Sequence, residues 1–454
     1  RAKNFAYQPI AAINSDRMKS ESKIRLFISK NSGVLSTLLK LAVVAVLMFS
    51  ASSFFQADLA SLTAFALALL QNRFVYGFLV FLSTLGALLV GLYVCVFVRF
   101  KPKELKFDAL DEEKRAAAFP PGYPNSWWKL CDSEEVRPGE VKEINILGRR
   151  FAVFRTEDGV ISALDAYCPH LAANLSQGKV VGNSLECPFH AWRFGPDGQC
   201  VDIPYAKNIP KNAATRSWDL KELWGMVMIW YHCDGIPPTW ELEDLPELCG
   251  DNPYTFRFKF RAEVNMHVQD FAENGPDSAH FAPVHQEMTI PFARYLFKIR
   301  HVTSWRNGEF GSDTHHMGYF ADDADLMFQW SESDIIPNAG ARVAATFHGP
   351  GLVVFRFSTA LGEILLVKSF TPIAPLKQRM DDRVFASPKT WNLLVKYIIL
   401  EANTQFGQDI QLWSRKSYSH KPLIVKEDGN ILGVRRWYKQ FYTKNSRRGM
   451  DLSW

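Results

Sequence analysis

The chain has 454 residues, enough for two or three domains, and its 47% hydrophobic and 13% aromatic content excludes a disordered polymer. A net charge of +5 is small for this length, and the basic residues alternate with acidic ones, so nucleic-acid binding is not expected. Cys95, Cys131, Cys200, Cys233 and Cys249 show no pairing pattern, which excludes a disulfide-built scaffold and suits a reducing compartment.

In chain order, residues 1–33 read as a tail and 34–98 as a membrane anchor. Phe74 to Val98 is a run of 25 residues without a charge, longer than the roughly 20 that a helix needs to cross the hydrocarbon. Leu41 to Phe55 is also uncharged, and extended back to Val34 it makes a second span if Lys40 snorkels to the interface. Lys19, Lys23, Arg25 and Lys30 precede the first span, and Arg99, Lys101, Lys103 and Lys106 follow the second. Positive flanks at both outer ends favour a helical hairpin with both termini in the cytosol.

Residues 99–123 read as a linker: Lys101 to Arg115 is charged, and Phe119-Pro-Pro-Gly-Tyr-Pro124 is a loop at a domain boundary. From 124 to 236 short strands alternate with turns, at Val141–Ile146, Arg150–Arg155, Val160–Asp165 and Gly225–Tyr231, which predicts a small antiparallel β domain. Two loops of this domain carry Cys168-Pro-His170 and Cys187-Pro-Phe-His190. Two thiolates and two imidazoles are the ligand set of a Rieske [2Fe-2S] cluster, in which histidines on one iron raise the potential. A structural zinc takes the same four donors. The proline after each cysteine, the C-x-H spacing of the first pair and the Gly195-Pro-Asp-Gly198 turn favour the cluster.

Residues 237–446 mix strands, predicted at Phe256–Arg261, Glu309–Tyr319, Gly351–Phe357 and Gly362–Thr371, with a long helix over Thr390–Lys416, and 447–454 read as a tail. The chain as a whole is expected to be α+β, with N-terminal transmembrane segments, a β domain and a catalytic domain of antiparallel sheet plus helices. Within it, Asp277 and His280 stand three apart and share a face if Pro276 starts a helical turn. Pro283 should end that turn, so that His285 comes from the following bend. Two histidines placed this way can grip one metal, and a mononuclear non-haem Fe(II) usually adds a carboxylate while keeping open positions. On the long helix Val395, Ile399, Ala402, Phe406, Asp409 and Trp413 recur at spacings of four and three. Asp409 is the ionisable residue on this apolar stripe, and burying a carboxylate there is costly unless it is paired or metal-bound, which makes it the third candidate ligand. His267, upstream, reads as structural rather than as support for the metal.

Together the two constellations resemble the Rieske non-haem iron oxygenases over roughly Pro120 to Ser446. The stretches Ala166–Leu175, Cys187–Trp192, Ile203–Ala206, Glu273–Asp277, Thr371–Arg379 and Arg435–Tyr438 look like the Neverland-type cholesterol 7-desaturases. The resemblance implies that Cys168 and Cys187 bind one cluster iron, His170 and His190 the other, and that His280, His285 and Asp409 hold the catalytic iron. It implies for Asp277 a bridging role in electron transfer, between an iron-ligating histidine and a cluster histidine of a neighbouring subunit, in a homotrimer. It further implies a sterol substrate, O2, and electrons from NAD(P)H through a separate reductase, since no Gly-rich dinucleotide fingerprint is present. The reaction implied is desaturation of cholesterol at C7–C8, at an endoplasmic reticulum membrane with the catalytic part facing the cytosol. Hydroxylation of another sterol and simple electron carriage are the alternatives. Ala172 and Ala191 stand where such enzymes often have glycine, and alanine is strained there if the positions need positive φ.

Overall fold

The computed structural model describes residues 77–78, 80–86, 109–285, 296–331 and 334–446, in two units, 1–99 and 100–454. In the first unit, residues 77–78 and 80–86 are helical, with Phe78, Phe81 and Leu82 exposed. The remainder of the two expected spans lies outside the described residues. No helix among the described residues is long and apolar enough to cross a membrane.

The second unit begins with a correction to the expected linker. Ala109–Ala118 is a helix (α1), favoured by its alanine-rich end. Arg115 donates to the main-chain carbonyls of Trp413 and Lys416, and Phe119 and Tyr123 are buried. The late carbonyls of a helix lack intrahelical partners, so an arginine is well placed there. This part of the segment is docked structure, not a free connector.

Ten short strands follow: Ser126–Asp132 (β1), Val141–Ile146 (β2), Arg149–Arg155 (β3), Ile161–Asp165 (β4), Lys179–Val181 (β5), Ser184–Glu186 (β6), Arg193–Phe194 (β7), Cys200–Asp202 (β8), Leu220–Leu223 (β9) and Met226–Tyr231 (β10). They form three antiparallel sheets, β2-β3-β4, β5-β6-β7-β8 and β1-β10-β9. The first two hold the Cys/His loops around a core that includes Phe154, Leu164, Leu175 and Phe194. The third is fused to the rest of the molecule. Every residue of β1 is buried, and Trp128 and Leu130 share one apolar cluster with Phe347, Phe370 and Trp437. A Cβ on Gly351 would lie 2.1 Å from the Trp128 ring, so glycine is what lets the indole cross there. The two domains therefore do not have wholly separate cores.

The remaining strands are Thr255–Asn265 (β11), Phe297–Asn307 (β12), Met317–Phe328 (β13), Ala341–His348 (β14), Leu352–Thr359 (β15), Gly362–Ala374 (β16) and Lys377–Ala386 (β17). They make one antiparallel sheet in the order β11-β17-β16-β15-β14-β13-β12. Chain neighbours β11 and β12 thus lie at opposite edges. The crossover between them contains Val268–Asn274 (α2) and Phe281–Val284 (α3), and hence the histidine loop. Asn392–Trp413 (α4) and Ile431–Lys439 (α5) complete the fold.

The strand predicted over 309–319 is a turn followed by β13, and β12, β14 and β17 were not expected at all. Their charges disguise them: Asp325 pairs with Arg300 at 3.0 Å and Arg342 at 2.9 Å, and Asp381 with Lys129 at 3.1 Å. The long helix is as expected, two or three residues shorter at each end.

α4 is keyed to the sheet by a polar lock. Lys368 on β16 donates to Asp382 on β17 at 3.0 Å and to Asn403 on α4 at 3.0 Å, and Asn403 donates to Asp382 at 3.0 Å. Lys368 and Asp382 are fully buried. Removing one member of such a pair strands the other charge, which costs about 3–5 kcal/mol, whereas replacing both with apolar residues is often neutral. Asp382→Leu should therefore lower the denaturation free energy by about 3 kcal/mol or more, and Lys368→Met/Asp382→Leu should recover most of it; equal losses in urea titrations of the two variants would contradict the lock.

Candidate functional site

The two Cys/His loops are copies of one backbone design. In the first, between β4 and β5, Cys168 N–H donates to Ala173 O (2.9 Å) and Ala172 N–H to Cys168 O (2.9 Å). In the second, between β6 and β7, Cys187 N–H donates to Trp192 O (2.8 Å) and Ala191 N–H to Cys187 O (3.1 Å). The turn that closes each bond has positive φ, 56° at Ala172 and 55° at Ala191. The strain expected of an alanine at these positions is present in both loops.

The loops hold Cys168 and Cys187, both buried and unbridged, and bring the ring centroids of His170 and His190 to 4.7 Å. Trp192 stacks on His170 at 4.6 Å, and its Nε1 donates to the Tyr205 hydroxyl at 2.7 Å. Burial, with Cys187 alongside, pushes the Cys168 thiol up to about 11, so a thiolate here requires a cation to stabilise it. His170 Nδ1 is buried without a hydrogen-bond partner, as a ligand atom would be.

A single zinc ion would draw four donors into one tight shell. Among the described residues, the groups whose donor atoms all lie within 4.8 Å are His232–Cys233–Asp234 and His280–His285–Asp409. The Cys168, His170, Cys187 and His190 set is not among them. Its wider spacing fits the two irons of a cluster.

The second group is the one expected from sequence. His280 and His285 flank α3, the first as its N-cap and the second as its C-cap. The expected turn at Pro276 is non-helical, and Pro283 lies inside α3 instead of ending it; the first turn of a helix has no acceptor for that missing N–H. Asp409, 3% exposed, reaches this turn from α4, with Oδ1 at 3.8 Å from His280 Nε2 and 3.4 Å from His285 Nε2. Burial depresses the His280 pKa against the pull of Asp409; burial also acts downward on His285, but Asp409 and Gln408 together outweigh it and leave its pKa raised.

Two further side chains were not identified from sequence. Asn274 Nδ2 lies 2.9 Å from His280 Nε2 and donates to Asp409 Oδ2 at 3.1 Å, and Gln408 Oε1 lies 3.0 Å from His285 Nδ1. Gln408 was readable only as the neighbour of Asp409, and Asn274 only as part of the Glu273–Asp277 stretch. Asp277 is partly exposed; its carbonyl bonds His280 Nδ1 and its carboxylate lies 3.9 Å from the same atom. His267 is apart from the triad: it is fully buried and caps α2 by accepting from Gln269 N–H at 3.2 Å.

A cavity of about 100 Å³ borders the triad, lined by Asn274, Phe281, His285, Phe406 and Asp409 among others. It shares Asp322, Val343, Phe357, Ala402 and Gln405 with a larger, mostly apolar cavity of about 550 Å³ between the sheet and α4. That volume is within the range of small-molecule sites.

A cluster-binding β lobe joined to a sheet-and-helix lobe with two histidines and one carboxylate is the architecture of a Rieske non-haem iron oxygenase. Residues 126–214 match the Rieske [2Fe-2S] domain, and residues 229–442 match the 3-ketosteroid 9alpha-hydroxylase C-terminal domain. The chain is 36% identical to cholesterol 7-desaturase nvd 1 of Ciona intestinalis over 72% of this chain and 71% of that protein. It is 37% identical to cholesterol 7-desaturase nvd of Xenopus laevis over 72% and 73%. To the Rhodococcus rhodochrous protein named "Probable 3-ketosteroid-9-alpha-monooxygenase, oxygenase component" it is 31% identical over 71% and 81%. The fold is shared with NdmA of Pseudomonas putida CBB5 bound to caffeine (TM-score 0.51, 19% identity, 69% of this chain and 90% of that one). Dicamba monooxygenase bound to dicamba also shares it (TM-score 0.50, 17% identity, 71% and 98%). The chain belongs to the Rieske oxygenase family that includes the Neverland-type cholesterol 7-desaturases, and is an oxidoreductase with a [2Fe-2S] cluster and a mononuclear iron as cofactors.

A left-handed alanine costs about 1–2 kcal/mol, partly offset in a glycine replacement by the greater freedom of unfolded glycine. Ala172→Gly and Ala191→Gly should each raise the chemical denaturation free energy by about 0.5–1 kcal/mol; a loss in both would show that the loops do not hold this strain.

Proposed function

We propose that this chain is a membrane-anchored sterol desaturase that converts cholesterol to 7-dehydrocholesterol, using O2 and electrons passed from NAD(P)H by a separate reductase. The observation that carries this reading is the apolar chamber that shares Asp322, Val343, Phe357, Ala402 and Gln405 with the small cavity against His285 and Asp409. The named activity of the Ciona and Xenopus relatives supports the choice of sterol and bond.

When bound, the cluster supplies electrons singly and the mononuclear iron supplies oxygen activation for removing hydrogen from C7 and C8. His280, His285 and Asp409 would hold the metal. Asn274 fixes the orientation of the Asp409 carboxylate, and Gln408 fixes that of the His285 ring. Phe271, Phe281, Phe320 and Phe406 line the cavity beside His285 and Asp409, where they exclude water and offer the substrate an apolar surface.

Asp277, beside His280 and open to solvent on one side, meets a cluster histidine of a second copy in a homotrimer. The exposed apolar rim of the cluster lobe, Leu171, Phe189 and Tyr205, supports such docking. Residues 34–98 hold the enzyme at the endoplasmic reticulum membrane with its catalytic part in the cytosol, and the sterol enters from the bilayer. Exposure of Phe78, Phe81 and Leu85 on the described helical stretch supports a lipid-facing surface.

A second reading, hydroxylation of a steroid, is favoured by the Rhodococcus relative. Mass spectrometry of the product separates the two. With a reductase, NADPH and cholesterol, the purified chain should give a product that has lost two hydrogens, and His280→Ala should give none while keeping the visible spectrum of its cluster. A product that has gained oxygen would replace desaturation by hydroxylation.

A further inference from the structure

Register places two titratable side chains on the chamber wall. His301 of β12 lies opposite Ala324, and Asp322 of β13 lies opposite Thr303, so the two are diagonal neighbours on one face of the sheet. His301 Nδ1 and Asp322 Oδ2 are 2.8 Å apart, and the side chains are 8% and 7% exposed. Because a carboxylate only accepts, Nδ1 is the donor in this bond.

Their outer atoms are unmatched. Both His301 Nε2 and Asp322 Oδ1 are buried without a hydrogen-bond partner. His301 lines the large chamber, and Asp322 lines both the chamber and the smaller cavity that holds His285 and Asp409. Neighbouring wall positions are apolar: Ala324, Leu326, Val343 and Phe357. Another polar pair on the wall, Tyr397 and Glu401, hydrogen-bonds internally. Buried polar atoms are nearly always paired, so two unpaired ones on the wall of a ligand-sized cavity mark a place that a ligand completes.

We propose that His301 and Asp322 form the recognition site for a hydroxyl group on the lipid that fills the chamber. The proposal rests on the sterol reading and narrows it to sterols with a free hydroxyl. With Nδ1–H given to Asp322 and the imidazole neutral, Nε2 and Oδ1 are both acceptors. An alcohol supplies one O–H, for Asp322 Oδ1 or for the adjoining His301 Nε2. A ketone or an ether supplies no donor and sets its own lone pairs against theirs. A site built around a hydrogen bond rejects the analogue that cannot make it far more strongly than an apolar wall rejects a change of one methylene.

The test compares equilibrium binding of cholesterol, its 3-O-methyl ether and the corresponding 3-ketone to the full chain in detergent, followed by tryptophan fluorescence. Hydrogen bonds to a charged group correspond to about a ten- to hundred-fold preference for the alcohol in the unmutated protein. His301→Leu/Asp322→Leu should weaken cholesterol to about the affinity of the ether and leave the ether within about three-fold of its original value. The ligand comparison on the unmutated protein stands even if the double variant does not fold. Equal affinity for alcohol and ether in a protein that still converts cholesterol overturns the hydroxyl site and leaves the sterol reading intact. A preference for the alcohol that persists in a folded double variant overturns it as well. Failure to bind or convert any of the three sterols overturns both.

Discussion

The burial of the Asp409 carboxylate is the constraint on which the rest of the architecture depends. A carboxylate inside an aromatic wall is tolerated only with a cation or strong donors around it, and here the donors are the His285 imidazole and the Asn274 amide. Bringing them together requires a crossover that runs between the two edges of the sheet and a helix held against that sheet at a fixed register. The Lys368–Asp382–Asn403 lock supplies that register, less than two turns before Asp409 on the same helix. The apolar chamber follows from the same packing, because the face of α4 that presents Asp409 continues as the wall formed by Leu394, Ile398 and Ala402.

Electron entry is organised by a different principle. The cluster lobe needs two short loops of one shape, and each closes with a residue in the left-handed region, where this chain places alanine. That strain is borne next to a buried cysteine and a histidine with an unpaired nitrogen, atoms whose own burial is unfavourable until metal joins them. The fused core around Trp128 ties the lobe to the sheet within the chain.

What could be read from sequence was what the chain keeps local or periodic. The cluster ligands sit in two short motifs, His280 and His285 flank one turn, and Asp409 stands out as a charge on an apolar stripe. The positive φ of Ala172 and Ala191 was legible as a departure from glycine. Asn274 and Gln408 were not, because their roles depend on which side chains approach them after folding. Nor was the His301–Asp322 pair, since β12 was hidden by the lysine and arginines of its alternation and the register with β13 has no local signal. Strand β17 was missed for a related reason: Asp381, Asp382 and Arg383 interrupt its apolar pattern, yet each is buried in an ion pair. The Ala109–Ala118 helix was overlooked because its charges read as linker, while its docking depends on carbonyls at the far end of α4.

The proposed sterol reaction requires the apolar chamber and the small cavity beside His285 and Asp409 to be joined through their shared residues. The most direct measurement is the electron paramagnetic resonance spectrum of the nitric oxide adduct of the ferrous mononuclear site, recorded with and without saturating cholesterol. If the sterol lies against His285 and Asp409, its binding displaces water near the metal and changes the line shape of the adduct while the Rieske signal is unaltered. An adduct spectrum that is identical with bound cholesterol would contradict the shared wall.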